Sequence, residues 1–183
     1  MSHELSLAPS PWLERWAHLL RPGMSALDVA CGSGRHVRFL AARGLGVTAV
    51  DRDAEALAGL RTQAEVLVAD LEGAPWPLAG RRFDLVLVTN YLWRPLWPAL
   101  LASLAPGGLL LYETFARGNE TVGRPSRAEF LLEPGELLRV CANLRIVGYE
   151  DGFLAEPQRF VQRIAALAPD PAAAAPLRIP LAG

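Results

Sequence analysis

ALDVACGSGRH, residues 26–36, is the stretch on which the reading of this chain turns. An apolar run carries Asp28 near its end, a tight turn follows through Gly32 and Gly34, and a helical pattern opens at Arg35. Glycine has no Cβ, so a ligand can lie directly against such a backbone. The first N–H groups of the following helix point into the same space. Strand, glycine turn and helix therefore make a seat for a nucleotide or cofactor. Asp28 narrows the choice, because a carboxylate at this rim suits a cation better than a pyrophosphate.

The dinucleotide fingerprint G-x-G-x-x-G is the obvious rival. Its third glycine, which permits close helix–strand packing, falls on Val37. A nicotinamide-dependent oxidoreductase is disfavoured on that ground. Two more strand-like runs end in carboxylates: GVTAVD at Asp51 and EVLVAD at Asp70. In a parallel sheet these ends share one edge, and ligands bind at that edge. A single strand-end Asp is usually a turn or cap residue. Three in successive units beside a glycine turn point instead to one ligand-binding crevice.

On these residues the chain resembles the class I S-adenosylmethionine-dependent methyltransferases. ALDVACGSGRH resembles the first motif of that family, the end at Asp51 the second, and VADLE (68–72) the third. FDLVLVTNYLWR (83–94) resembles the fourth, and LAPGGLLLYETF (104–115) its Pro-Gly-Gly turn and next strand. The match runs in family order from about Ser25 to Arg163. The GSGRH turn looks most like the small tellurite-resistance-type methyltransferases. The resemblance implies a Rossmann-like, doubly wound, mostly parallel seven-stranded sheet with an antiparallel last strand and helices on both faces. It implies S-adenosylmethionine as cofactor. Asp28 would face its ammonium, Asp51 would accept from the ribose hydroxyls, and Asp70 with the Leu71 N–H would read the adenine. Ala30, Gly32 and Gly34 would let the backbone approach the methionine part, and Arg52 and Asn90 complete the cofactor set. The alternatives are an NAD(P)-binding oxidoreductase and an S-adenosylmethionine-binding module without catalysis.

At 183 residues, 51% of them hydrophobic, the chain fits one domain with a sizeable core. The expected division is a methyltransferase domain over 1–168, with 1–22 as a helical cap, and a Pro/Ala-rich tail over 169–183. A formal net charge of −1 argues against a general nucleic-acid binder. No apolar run has the length to span a bilayer, no segment reads as a secretory signal, and a cytoplasmic location is expected. All 18 basic residues are arginine, which removes the P-loop and Schiff-base lysine chemistries. Cys31 and Cys141 read as packing residues. Neither they nor the histidines make a metal spacing, so no metal is expected. His36 reads as a surface or pocket-edge residue.

Periodicity predicts helices over Pro11–Leu20, Arg35–Arg43, Ala54–Leu60, Leu96–Leu104 and Pro134–Cys141. Further strands are expected over Phe83–Thr89, Leu109–Thr114, Leu144–Glu150 and Arg159–Ala166. Trp12 and Trp16 read as packing. The methyl acceptor should sit beyond the fourth and fifth strands, beneath the polar loop 116–130. Tyr91, Arg94, Glu113, Phe115 and Asn119 are the expected lining of a small-molecule acceptor site, with Tyr91 and Glu113 as the polar groups nearest the chemistry. Asn90 is followed by Tyr-Leu-Trp and not by the family's Pro-Pro-aromatic sequence, which argues against amide or adenine nitrogen as acceptor.

Overall fold

A computed structural model describes residues 8–173 and 178–181. Its regular elements are α1 (Pro11–Trp16), β1 (Ser25–Val29), α2 (Arg35–Ala41), β2 (Gly46–Asp51), α3 (Ala54–Ala58) and β3 (Glu65–Val68). β4 (Phe83–Thr89), α4 (Trp97–Ala102), β5 (Leu104–Phe115), α5 (Glu136–Val140), β6 (Arg145–Ala155) and β7 (Gln158–Leu167) follow. The strands form one sheet in the order β3-β2-β1-β4-β5-β7-β6. β1 to β5 pair in parallel, and β7 is inserted antiparallel between β5 and β6. The strand order reverses between β1 and β4. In open α/β sheets such a reversal leaves a crevice outside the carboxyl ends of the strands.

Alternation along the strands divides the core into two layers. Leu27, Val29, Val86 and Val88 pack with Leu96, Leu100 and Leu137 of the α4–α5 side. Ala26, Leu85, Leu87 and Leu111 pack with Trp12, Trp16, Val37 and Leu57 of the α1–α3 side. α1 is a single short helix that could not persist alone. Ser10 caps it by accepting the Trp12 N–H at 3.1 Å, and Pro11 opens it. Burial of Trp12, Leu13 and Trp16 fixes it to the sheet, each such side chain contributing about 1.5–3 kcal/mol. The two tryptophans meet edge to face at 5.8 Å. A Cβ at Gly148 would overlap the Trp16 ring, so β6 passes directly beneath α1.

Several boundaries differ from the sequence expectation. α1 gives way to a 3₁₀ turn over Ala17–Leu19, and α4 is preceded by another over Arg94–Leu96. β5 begins at Leu104, which pairs with Phe83, and the Pro-Gly-Gly segment forms an irregularity before the register resumes at Leu109 opposite Leu85. Gly108 makes this possible, since a Cβ there would lie 2.9 Å from the Phe83 and Ala105 carbonyl oxygens. α5 begins at Glu136, after Gly135 in the left-handed region, and not at Pro134. Within the expected tail, Ile179 packs against the α1–α3 layer, and the Pro180 carbonyl contacts His18 Nε2 at 3.0 Å. The first seven residues of the expected cap lie outside the described residues, as do 174–177 and 182–183 of the tail.

Candidate active site

The turn after β1 runs through three left-handed residues, Ala30 (φ 52°), Gly32 (φ 53°) and Gly34 (φ 76°). The two glycines are needed for different reasons. A Cβ at Gly32 would meet nothing within 4 Å, so this backbone lies open. A Cβ at Gly34 would overlap the Leu60 side chain, so Gly34 serves helix packing and not ligand approach. The turn is tied to β2 twice. The Cys31 N–H donates to the Val50 carbonyl at 3.1 Å, and the Gly32 N–H donates to Asp51 Oδ2 at 2.8 Å. Asp51 Oδ1 accepts from the Asp53 N–H at 2.9 Å. The Asp51 carboxylate thus joins two loops while staying on the surface of a cavity of about 230 Å³. Ala30 and Arg52 flank it, Asp70 and Leu71 face it, and Glu72 and Tyr91 close the end. Asp70 Oδ1 also accepts from the Glu72 N–H at 3.0 Å.

Asp28 does not share this surface, contrary to the expectation of three carboxylates on one crevice. Its side chain is fully buried on the α1–α3 side, and neither oxygen has a hydrogen-bond partner among the described residues. Burial, reinforced by Asp51, raises its pKa to about 8 although Arg35 opposes the shift. His36 lies 4.0 Å away and is buried too, so it is not a surface residue. Burial, with help from Arg35, lowers its pKa to about 3.

These shifts give stability a defined pH dependence. Between pH 3.8 and about 8 the unfolded chain has released the Asp28 proton and the folded chain has not, so stability falls as pH rises. Between about 3 and 6.5 the unfolded chain binds a proton that folded His36 refuses, so stability falls as pH drops. The slopes oppose each other up to pH 6.5, and Asp28 acts without His36 from there to about 8. Asp28→Asn is therefore expected to remove the decline in Tm between pH 6.5 and 8, measured by calorimetry without ligand. An unaltered decline would sink this assignment.

A second cavity of about 260 Å³ adjoins the first. Asn90, Tyr91 and Leu92 form one side, Thr114 and Phe115 another, and Pro125 and Phe130 the roof. Tyr91 and Glu72 belong to both cavities. Asn90, at φ 55°, lies here and not in the first cavity. The Tyr91 hydroxyl is buried without a hydrogen-bond partner. Burial, then Glu72 and Asp70, pushes its pKa well above that of a free phenol. It is a proton donor at neutral pH and not a general base.

Three expected acceptor residues are committed elsewhere. Arg94 grips Glu136 through two contacts of 2.7 and 2.9 Å and donates to the Glu129 and Leu131 carbonyls at 2.7 and 2.9 Å. It clamps the end of the 116–130 loop to α5. Buried Asn119 donates to the Pro125 carbonyl at 2.9 Å and accepts from the Phe160 N–H at 3.2 Å, which fixes that loop from within. Glu113 is only 1% exposed. It accepts from Ser10 Oγ at 2.9 Å, and Arg163 Nε lies 3.0 Å from its Oε2 and Arg159 Nη2 3.8 Å from its Oε1. It is an internal ion-pair residue and not a base open to an acceptor.

Glu113 belongs to a polar row that spacing could not reveal. Thr89, Glu113, Arg163 and Glu150 are direct cross-strand partners on β4, β5, β7 and β6. α1 lies along this row, held by Ser10 at Glu113 and by Arg15 at Glu150, 2.7 Å. The capping pattern Ser10-Pro11 was the one readable signal for Ser10. Nothing in the sequence marked Arg159, Arg163 or Glu136.

The donor set fits the cofactor implied by the sequence resemblance. Open Gly32 backbone suits close approach, and acceptor-only Asp51 suits hydroxyl donors, whereas Asp28 lies off the cavity. Among the described residues no His, Cys, Asp and Glu side chains are grouped to hold a metal ion, and no helix is long and apolar enough to cross a membrane.

Comparison with known proteins agrees. Residues 26–108 match a family model described as a methyltransferase domain. A ribosomal protein L11 methyltransferase of Burkholderia mallei is 36% identical over 112 residues, covering 58% of this chain and 36% of that protein. A malonyl-[acyl-carrier protein] O-methyltransferase of Serratia marcescens is 35% identical over 107 residues, 54% of this chain and 41% of that protein. The chain thus spans about two fifths of the length of these relatives. TehB from Haemophilus influenzae superposes with a TM-score of 0.71 at 20% identity, over 87% of this chain and 62% of that one. A methyltransferase from Methanosarcina mazei does so with a TM-score of 0.66 at 17% identity, over 89% and 99%. Residues 26–108 are therefore similar to a methyltransferase domain, and the chain shares the fold of these solved methyltransferases.

Proposed function

We propose that the chain transfers a methyl group from S-adenosylmethionine to a small-molecule acceptor. The observation that carries this reading is the pair of adjoining cavities that share Tyr91 and Glu72 as a common wall. The first has the acidic rim that a ribose and an adenine amino group require, at Asp51 and Asp70. The second is roofed by Pro125 and Phe130, which favours a compact acceptor over a folded protein surface or an RNA. The relatives named for protein acceptors make an intact protein the principal competing outcome.

When bound, S-adenosylmethionine supplies a methyl group already activated by its sulfonium. What remains for the protein is orientation, which can supply most of the rate enhancement. Asp51 keeps lone pairs free beyond the two N–H groups that it already accepts. Leu71 closes the apolar side of the same cavity. Tyr91 keeps its hydroxyl proton and offers it as a hydrogen bond that orients the acceptor at the boundary, and Phe115 confines that acceptor from the β5 side. The Arg94–Glu136 clamp and the Asn119 contacts fix the loop that carries Pro125 and Phe130.

Calorimetry is expected to show binding of S-adenosylhomocysteine, the demethylated product, and no comparable heat from NAD or NADP. Tighter nicotinamide binding would overturn the cofactor assignment. Phe115→Ala is expected to impair turnover of small acids, thiols, phenols or chalcogen oxyanions. Cofactor affinity should stay within about threefold, roughly 0.7 kcal/mol. Methylation of intact protein or bulk RNA, with that panel inactive, would refute the small-acceptor reading. Absence of any turnover beside tight cofactor binding would favour a non-catalytic module.

A further inference from the structure

One buried histidine outside both cavities lies between the start of α1 and Asp28. His36 Nε2 accepts the Ser10 backbone N–H at 3.1 Å, so the neutral ring carries its proton on Nδ1. Nδ1 faces Thr89 Oγ1 at 3.4 Å and Asp28 Oδ2 at 4.0 Å. Neither oxygen of Asp28 has a hydrogen-bond partner among the described residues. Ser10 is fully buried and holds three elements at once. It caps α1, donates through Oγ to Glu113 on β5, and gives its N–H to His36 on α2. From this geometry we infer that His36 is a positioning residue, a latch that couples the seating of α1 to the orientation of Asp28 and hence to filling of the cofactor turn.

The inference rests on the cofactor reading above. Its physical content is reciprocity. If ligand binding favours the Asp28 orientation that the latched ring supports, ligand must also hold α1 down, by the same factor. The ring can act only while neutral, because a second ring proton would set a donor against the Ser10 N–H. The site keeps it neutral over the whole physiological range. Ser10 also offers a clean way to cut the latch. Its φ of −61° suits proline, which lacks the N–H.

Hydrogen exchange of the amides from Glu14 to Ala17 is measured with and without S-adenosylhomocysteine, alongside its Kd. In the wild type, ligand is expected to slow this exchange at least tenfold. His36→Phe should abolish the slowing and weaken binding at least fivefold. His36→Gln, whose amide can accept from Ser10, should restore part of both. Ser10→Ala removes only the hydroxyl and should keep the coupling, whereas Ser10→Pro should lose it. The Ser10 pair decides the matter if His36→Phe does not fold. Wild-type affinity and full slowing in folded His36→Phe, or equal coupling in the two Ser10 variants, would overturn the latch. A wild type that binds no S-adenosylhomocysteine would overturn the cofactor reading together with it.

Discussion

Replacing Glu113 by Ala is expected to lower the unfolding free energy by about 3–5 kcal/mol, the usual cost of leaving a buried charge without its partner. Arg163 would lose its nearest carboxylate while only 8% exposed, and Arg159 would lose the one carboxylate within 4.0 Å of it among the described residues. Ser10 Oγ would lose its acceptor in the same step. Urea denaturation with an unchanged m-value is the measurement. Glu113→Gln separates this role from the one that the sequence suggested. As a catalytic base, Glu113 would lose turnover on amidation while the fold kept its stability. As an ion-pair residue, it would lose stability first, with the turnover of the remaining folded protein little changed. A drop below about 1 kcal/mol in the alanine variant would return Glu113 to the list of candidate bases.

Asp51→Ala is expected to weaken binding of S-adenosylhomocysteine by about 2–4 kcal/mol, through loss of two charge-assisted hydrogen bonds to ribose hydroxyls. Sequence reasoning expects almost no change in the stability of the free protein, since the carboxylate faces an open crevice. The structure alters that expectation. The carboxylate already accepts the Gly32 and Asp53 N–H groups, so its removal should also cost the free protein about 1–3 kcal/mol. Asp51→Asn retains one acceptor oxygen and should fall between the wild type and alanine on both scales. Unchanged affinity in a folded alanine variant would reduce Asp51 to a turn residue.

The fold was readable because its signals are local. Apolar runs ending in Asp28, Asp51 and Asp70 are strand ends of one parallel edge, and the glycine turn between the first strand and helix has a backbone that only a few residue types tolerate. The place of the first cavity followed, since most of its walls are the first residues beyond those strands. The acceptor side was read less well. Glu113, Arg94 and Asn119 follow the right strands or lie in the right loop, yet each is consumed by a partner distant in sequence: Arg163, Glu136 and Phe160. Strand-end position says which edge a residue occupies, but not which face of the sheet its side chain takes or what waits there. Asp28 illustrates the point, because it turns to the α2 side and meets His36 instead of the cavity. Gly34 is a subtler case: right position, wrong reason, since Leu60 and not a ligand requires the missing Cβ.

The row Thr89–Glu113–Arg163–Glu150 also bears on how the last strand finds its place. β7 must enter antiparallel between β5 and β6, and a run such as Arg163-Ile-Ala-Ala-Leu167 offers several apolar alignments against Leu109–Leu111. A slip of one residue would carry Arg163 to the opposite face, among Tyr112 and Ile164. A slip of two would set it opposite Leu111 or Phe115, with no carboxylate on either side. Only the observed alignment places one guanidinium between two glutamates, so a single buried arginine works as a key that admits one pairing and rejects its neighbours.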